Sequence, residues 1–131
     1  MDEGEVRGWF EEYLALFAAT GRGVRQPADV VGFYSVPLLL TTDDLVVWLR
    51  TRDEVAAWLR KQVDGMLAAQ YDHSETLSSD TAKLNHNSAM HRATFSRQRA
   101  DGREIDRLTV TYVVTHGPGG FHISALVVHT P

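Results

Sequence analysis

The stretch from Ala89 to His129 limits the fold more than any other part of the chain. Between Arg107 and His116 it reads R-L-T-V-T-Y-V-V-T-H. Leu108, Val110, Tyr112 and Val114 recur at every second position, with Thr109, Thr111, Val113 and Thr115 between them. Side chains of a strand point alternately to opposite faces, so this period of two marks a strand with one apolar face. Turn signals stand on both sides. Asp101-Gly102 is the preferred pair for a tight hairpin, and His116-Gly-Pro-Gly-Gly120 closes the other end. Three antiparallel strands follow, the last from Phe121 to His129. Their apolar face needs a cover.

The preceding residues supply one. A helix is predicted from Glu3 to Ala19, where Trp9, Phe10, Tyr13, Leu14, Phe17 and Ala18 recur at spacings of three and four. Gly21 and Gly23 end it. Pro27 opens a short helical connection. Val36 to Thr42 reads as a short strand, and Pro37 marks it as an edge because proline cannot donate to a ladder. Asp43-Asp44 is the turn to a return strand from Leu45 to Arg50. Thr51-Arg-Asp-Glu54 is a capping box that starts a second long helix. Its buried face is Val55, Trp58, Leu59, Gln62, Met66 and Leu67. Tyr71 to Asn85 reads as a long, bulged strand, turning at His86 to Ser88. Segregated helices beside a run of strands predict an α+β fold, with a curved sheet of about six strands wrapped around the helices as a cone.

At 131 residues the chain has room for a single domain, 1–131, with one core. A net charge of −4 argues against general nucleic-acid binding, which needs a basic surface. Eleven Arg against two Lys reads as codon usage of a GC-rich genome. The absence of Cys excludes disulfides and thiolate chemistry. No signal peptide and no run long enough for a membrane span is visible, so a cytoplasmic protein without membrane contact is expected.

The element order resembles the cone fold of the nuclear transport factor 2-like superfamily, also called SnoaL-like. The Gly-rich break after the first helix, P-L-L-L-T-T-D-D before T-R-D-E-V, and the terminal F-H-I-S-A-L-V-V-H carry the likeness. F-Y-S-V-P-L-L-L-T-T-D-D, F-S-R-Q-R-A-D-G and I-S-A-L-V-V-H resemble, more narrowly, a group of actinobacterial SnoaL-like proteins with no assigned activity. The superfamily holds isomerases, epoxide hydrolases, cyclases, dehydratases and binding proteins, and its fold does not choose among them. Its steroid isomerases place a carboxylate base, a helix Tyr and a neutral Asp at positions matching Thr42, Leu14 and Val110 here. Asp43 and Tyr13 stand one residue away, and a one-residue shift turns a strand side chain to the other face. That mechanism is not expected in this form.

Counting through the hairpins places His91, Ala93, Phe95 and Arg97 toward the cone, with Val110, Tyr112, Leu40, Thr42, Ile123, Ala125 and Val127. With Tyr13, Leu14, Phe17 and Trp58 from the helices, these line either a mostly apolar pocket or a filled core. Tyr112, His91 and Asp43 are the candidate acid–base groups, each with a structural alternative: a satisfied core Tyr, a packed His, a turn Asp. The six His show no metal-ligand spacing, so neither metal nor cofactor is expected. The outer face, read as Thr109, Thr111, Val113 and Thr115 beside His122, Ser124, Leu126 and Val128, carries none of Lys, Arg, Asp or Glu. It is predicted to hold a homodimer centred on Leu126 and Val128, as superfamily members commonly pair through this sheet. The functional expectation is a protein that binds an apolar small molecule, as an isomerase, cyclase or dehydratase of a carbonyl compound. The alternative is a non-catalytic interaction or carrier module.

Overall fold

A computed structural model of the chain describes residues 1–129. Helix α1 spans Glu3–Gly21 and is followed by two 3₁₀ turns, Pro27–Asp29 and Val31–Phe33. Strands β1 (Tyr34–Thr41) and β2 (Val46–Leu49) precede helix α2 (Arg52–Ala68). Strands β3 (His73–Asn85), β4 (Ser88–Gln98), β5 (Glu104–Gly117) and β6 (Gly120–His129) follow. All six strands form one curved sheet in the order β2-β1-β6-β5-β4-β3. β1 runs parallel to β6 and every other pairing is antiparallel.

Both long helices start where a side chain takes up orphan amides. The Glu5 amide donates to the Asp2 carboxylate at 2.8 Å, and the Glu54 amide donates to the Thr51 hydroxyl at 3.1 Å. Gly23 lies past the end of α1 at a φ of 83°, the left-handed conformation that ends many helices. Among the described residues no helix is long and apolar enough to cross a membrane.

The inner face of the sheet meets α1 and α2. Phe10, Tyr13, Leu38, Leu59, Val114 and Ile123 form the buried centre. Phe10 packs on Tyr112 and His91, with ring centroids 4.5 and 4.3 Å apart. Val63 joins the buried face of α2, whereas Leu67, expected there, is exposed.

Two sequence expectations need correction. β1 is no edge, since it lies between β2 and β6. Pro37 is tolerated because the β1–β6 register shifts between Tyr34 and Leu39, so no ladder amide is required of it. The second correction concerns β6. Val114 pairs with Ile123, but the next residue along β5, Val113, pairs with Ala125. One extra residue therefore bulges out of β6. The Thr115 and Ser124 hydroxyls bond each other at 2.6 Å on the outer face, and Ala125 follows on that same face opposite Val113. Beyond the bulge the parity is reversed. Leu126 pairs with buried Tyr112 and is itself buried; Val128 pairs with buried Val110. Ala125 and Val127, expected inside, lie outside, and Leu126 and Val128, expected at the centre of a subunit contact, lie inside.

Candidate functional site

The inner face does not close along its whole length. Between α1, α2 and the sheet lies a cavity of about 390 Å³. Helix α1 presents Tyr13, Leu14, Phe17 and Ala18 to it, and α2 presents Trp58 and Gln62. The sheet contributes Tyr34, Phe95, Arg97, Leu108, Val110, Tyr112, Leu126 and Val128. The start of β3 adds His73, Ser74 and Thr76 beside Tyr71. The buried part of the wall is aromatic and aliphatic, whereas Gln62, Ser74 and Thr76 are exposed and mark the open side.

Three phenols sit in the buried wall. The Tyr13 and Tyr34 hydroxyls share a hydrogen bond of 2.5 Å. Tyr112 has no hydrogen-bond partner among the described residues, although no fully buried side-chain oxygen or nitrogen among them lacks one. Its hydroxyl therefore opens on the cavity. Burial pushes all three phenols well above the usual tyrosine range, and the nearby Tyr34 adds to the effect on Tyr13, as Tyr13 does on Tyr112. They stay protonated and can donate. In the Tyr13–Tyr34 pair one hydroxyl donates to the other, which leaves the second proton for a third acceptor.

The open side is polar. Arg97 grips Asp106 with two bonds, Nε to Oδ1 at 2.7 Å and Nη2 to Oδ2 at 2.5 Å. These bonds hold the guanidinium firmly charged. The hydroxyls of Tyr71 and Ser74 bond each other at 2.8 Å, and His73 Nδ1 meets Asp72 at 2.9 Å. Among the described residues no three His, Asp or Glu side chains converge as a metal site, and no carboxylate lines the cavity.

The structure gathers Tyr13, Leu14, Phe17, Trp58, Phe95, Arg97, Val110 and Tyr112 around this cavity. It places the other candidate residues elsewhere. His91 is buried beside its ladder partner Tyr112, with ring centroids 6.2 Å apart, but does not line the cavity; it is stacked on Phe10 and bonded through Nδ1 to the Thr81 hydroxyl at 2.8 Å. Burial lowers its pKa, opposed by Asp80 and helped by Arg7. Asp43 lies in the exposed β1–β2 turn, where the Thr42 hydroxyl accepts from the Asp44 amide at 3.2 Å. Of the three, Tyr112 and His91 are neighbours, but only Tyr112 lines the cavity, and Asp43 is not among the lining residues. Leu40 and Ile123 are buried in the core away from the cavity, and Ala125 lies on the outer face. Sequence reasoning missed Tyr34, although it shares the even parity of Leu38 and Leu40. It also missed Leu126 and Val128, which no simple alternation finds across a bulge.

A cone of six strands around two helices, holding an apolar cavity with phenols in its wall, defines the class. The chain matches the family model described as NTF2-like protein (DUF6841) over residues 2–131 and belongs to that family, within the nuclear transport factor 2-like superfamily. No curated protein matches it in sequence. Among solved structures it is similar to an NTF2-like protein with a cystatin-like fold from Novosphingobium aromaticivorans. The two share 12% identity and a TM-score of 0.73, over 98% of this chain and 81% of that one. A candidate aromatic ring hydroxylase from the same organism shares 11% identity and a TM-score of 0.69, over 99% and 92%. The yeast UBP3-associated protein BRE5 shares 16% identity and a TM-score of 0.70, over 94% of each chain. At such identities these likenesses establish the fold alone.

Proposed function

We propose that the protein binds an apolar, ring-sized organic molecule that carries a hydrogen-bond acceptor such as a carbonyl. The observation that carries this reading is the roughly 390 Å³ apolar cavity with the Tyr112 hydroxyl, without a partner among the described residues, in its wall. Pockets of this size and lining suit small molecules, with a few placed polar groups fixing orientation. Tyr112 and the spare proton of the Tyr13–Tyr34 pair are the donors that an acceptor would meet. The catalytic trio expected from the sequence carries no step in this reading, because neither His91 nor Asp43 lines the cavity onto which Tyr112 opens. Binding, with polarisation of a carbonyl as the chemistry these phenols could lend, is the function the geometry favours. Being described as a candidate aromatic ring hydroxylase, one structural neighbour is named for chemistry on a ring-bearing molecule.

The test is calorimetric titration and thermal melting with a series of aromatic ketones. Binding to the folded state alone raises the melting temperature. Tyr112→Phe should weaken the best ketone about tenfold, the value of one hydrogen bond of about 1 kcal/mol or slightly more. Val110→Phe should remove binding by filling the cavity. Ketone binding that ignores both replacements would overturn the proposal.

A second reading is self-association through the outer sheet face. The specific observation is an apolar band running from β2 to β5. Val46 and Trp48 are 71% and 51% exposed, and Leu39, Ala125, Val127 and Val113 continue the band by ladder pairing. An isolated sheet face in water normally carries more charge. Sedimentation of wild type against Val127→Asp tests it.

A further inference from the structure

The cone cavity has a neighbour. A second recess of about 210 Å³ lies at the open side of the cone, with Lys61, Gln62, Met66, Tyr71, Arg97 and Asp106 in its walls. Gln62, Tyr71 and Arg97 line both spaces, so the partition is one side chain thick. The chemistry changes across it. Inside, the buried wall is apolar with phenol donors, and Arg97 stands at the partition between the two spaces. Outside, α2 brings Lys61 to the edge of the recess and β4 brings Arg97. Asp106 offsets only one of these charges. Arg97 uses Nε and Nη2 on Asp106, and its Nη1 has no hydrogen-bond partner among the described residues. Lys61 forms no ion pair among them either.

A charged group on a cone ligand cannot go inward, because an unpaired charge in an apolar wall is strongly disfavoured. It has to sit where donors remain unused. We propose that the recess is the second half of the ligand site, and that the natural ligand is an amphipathic organic anion. Its ring or hydrocarbon body fills the cone. Its carboxylate, or a group of like charge and shape, lies between Arg97 Nη1 and Lys61. This inference rests on the cavity reading above. Arginine held by Asp106 presents a fixed, oriented donor, while the flexible lysine adds an adjustable charge. The recess thereby sets the orientation of the ligand, body first, and discriminates against cations of the same shape.

The experiment compares two fluorescent probes of the same ring system. One is the anion 1-anilinonaphthalene-8-sulfonate and the other is neutral N-phenyl-1-naphthylamine. The anion should bind more tightly, and high salt should narrow the difference, since partly exposed charge pairs are screened. Lys61→Gln should weaken the anion about fivefold, the upper value for an exposed ion pair, and leave the neutral probe unchanged. The paired replacement of Arg97→Leu with Asp106→Leu removes both charges while keeping apolar bulk, so it should erase the remaining preference without unfolding the protein. Val110→Phe should displace both probes. Equal affinities for the two probes, indifferent to Lys61→Gln, would overturn the inference and leave the cone as a neutral site. Anion binding that survives Val110→Phe would place the probe outside the cone and overturn it as well. If neither probe binds the wild type, the cavity reading itself fails and this inference falls with it.

Discussion

The two ends of the cone are built from the same helix and the same strands, and one is filled while the other is open. At the filled end Phe10 lies against His91 and Tyr112, and Val6, Val114 and Ile123 are fully buried around them. At the open end Leu14 and Ala18 of the same helix line a cavity. Phe10, Leu14 and Ala18 are spaced four apart and form one ridge, since residues four apart stack on a helix face. Their size falls along that ridge. Where the helix offers a phenyl ring the space is filled; where it offers an isobutyl and then a methyl group, the cavity opens. A cavity can thus arise from a gradient of side-chain volume along one helix, with no change of backbone.

The strongest way to break this comparison is at β6, where inside and outside alternate residue by residue. Leu126→Asp buries a carboxylate without a partner and loses a packed side chain, which should cost more than about 5 kcal/mol and leave the chain largely unfolded. Val127→Asp, one residue on and 37% exposed, should fold normally. If the outer face joins two copies, Val127→Asp should also convert a dimer to a monomer in sedimentation. A folded Leu126→Asp protein would mean that the bulge is misplaced. A wild type that sediments as a monomer at micromolar concentration would end the self-association reading.

Next in size is the contrast between two phenylalanines. Phe10→Ala should lower stability by about 3–5 kcal/mol, the usual cost of a fully buried ring. Phe17, half-buried at the cavity wall, should cost only about 1 kcal/mol as Phe17→Ala, because much of its surface already faces open space. Chemical denaturation of both variants measures the difference, and equal losses would deny that one end is packed and the other open.

The smallest effect is one of pH. His91 is neutral in the fold, its pKa held below the ordinary histidine value by burial. As pH falls through about 6.5, the unfolded chain takes up this proton before the folded chain does. Stability should therefore drop as pH falls below that point, until the lowered folded-state value is passed. His91→Gln should flatten this part of the profile. Urea midpoints followed from neutral to mildly acidic pH, wild type against variant, isolate the contribution; identical slopes would place His91 in a more solvated setting than its contacts with Phe10 and Thr81 indicate.

Most of the fold was legible in the sequence because its signals are local. The capping box at Thr51, the hairpin at Asp101-Gly102 and the alternation of Leu108 to Val114 each report on residues in direct contact. The cavity was legible only in part. Tyr13, Leu14, Phe17, Trp58, Phe95, Arg97, Val110 and Tyr112 were found because they lie on regular elements whose period runs unbroken. His91 has the right parity but lies too far toward the filled end, and periodicity says nothing of position along the cone axis. Leu126 and Val128 were assigned to the wrong face because a count carried through Ser124 inherits the phase of Ile123. Pro37 misled in the same way: a proline was read as an edge where the ladder had a local irregularity in an interior strand.

The bulge in β6 also changes how this strand can vary over time. In a regular strand, substitutions act one position at a time and leave the phase intact. Here the loss of a single residue between Ile123 and Leu126 would remove the bulge and leave a regular alternation, with Ile123 still opposite Val114 and Leu126 still opposite Tyr112. Leu126 and Val128 would keep their places in the cavity wall, and Val127 would stay outside. One deletion at this point would thus spare both the ligand-facing and the outward-facing surface, making the bulge a place where the strand can shorten by one residue, whereas the same deletion in the regular part of the strand would turn every later side chain over.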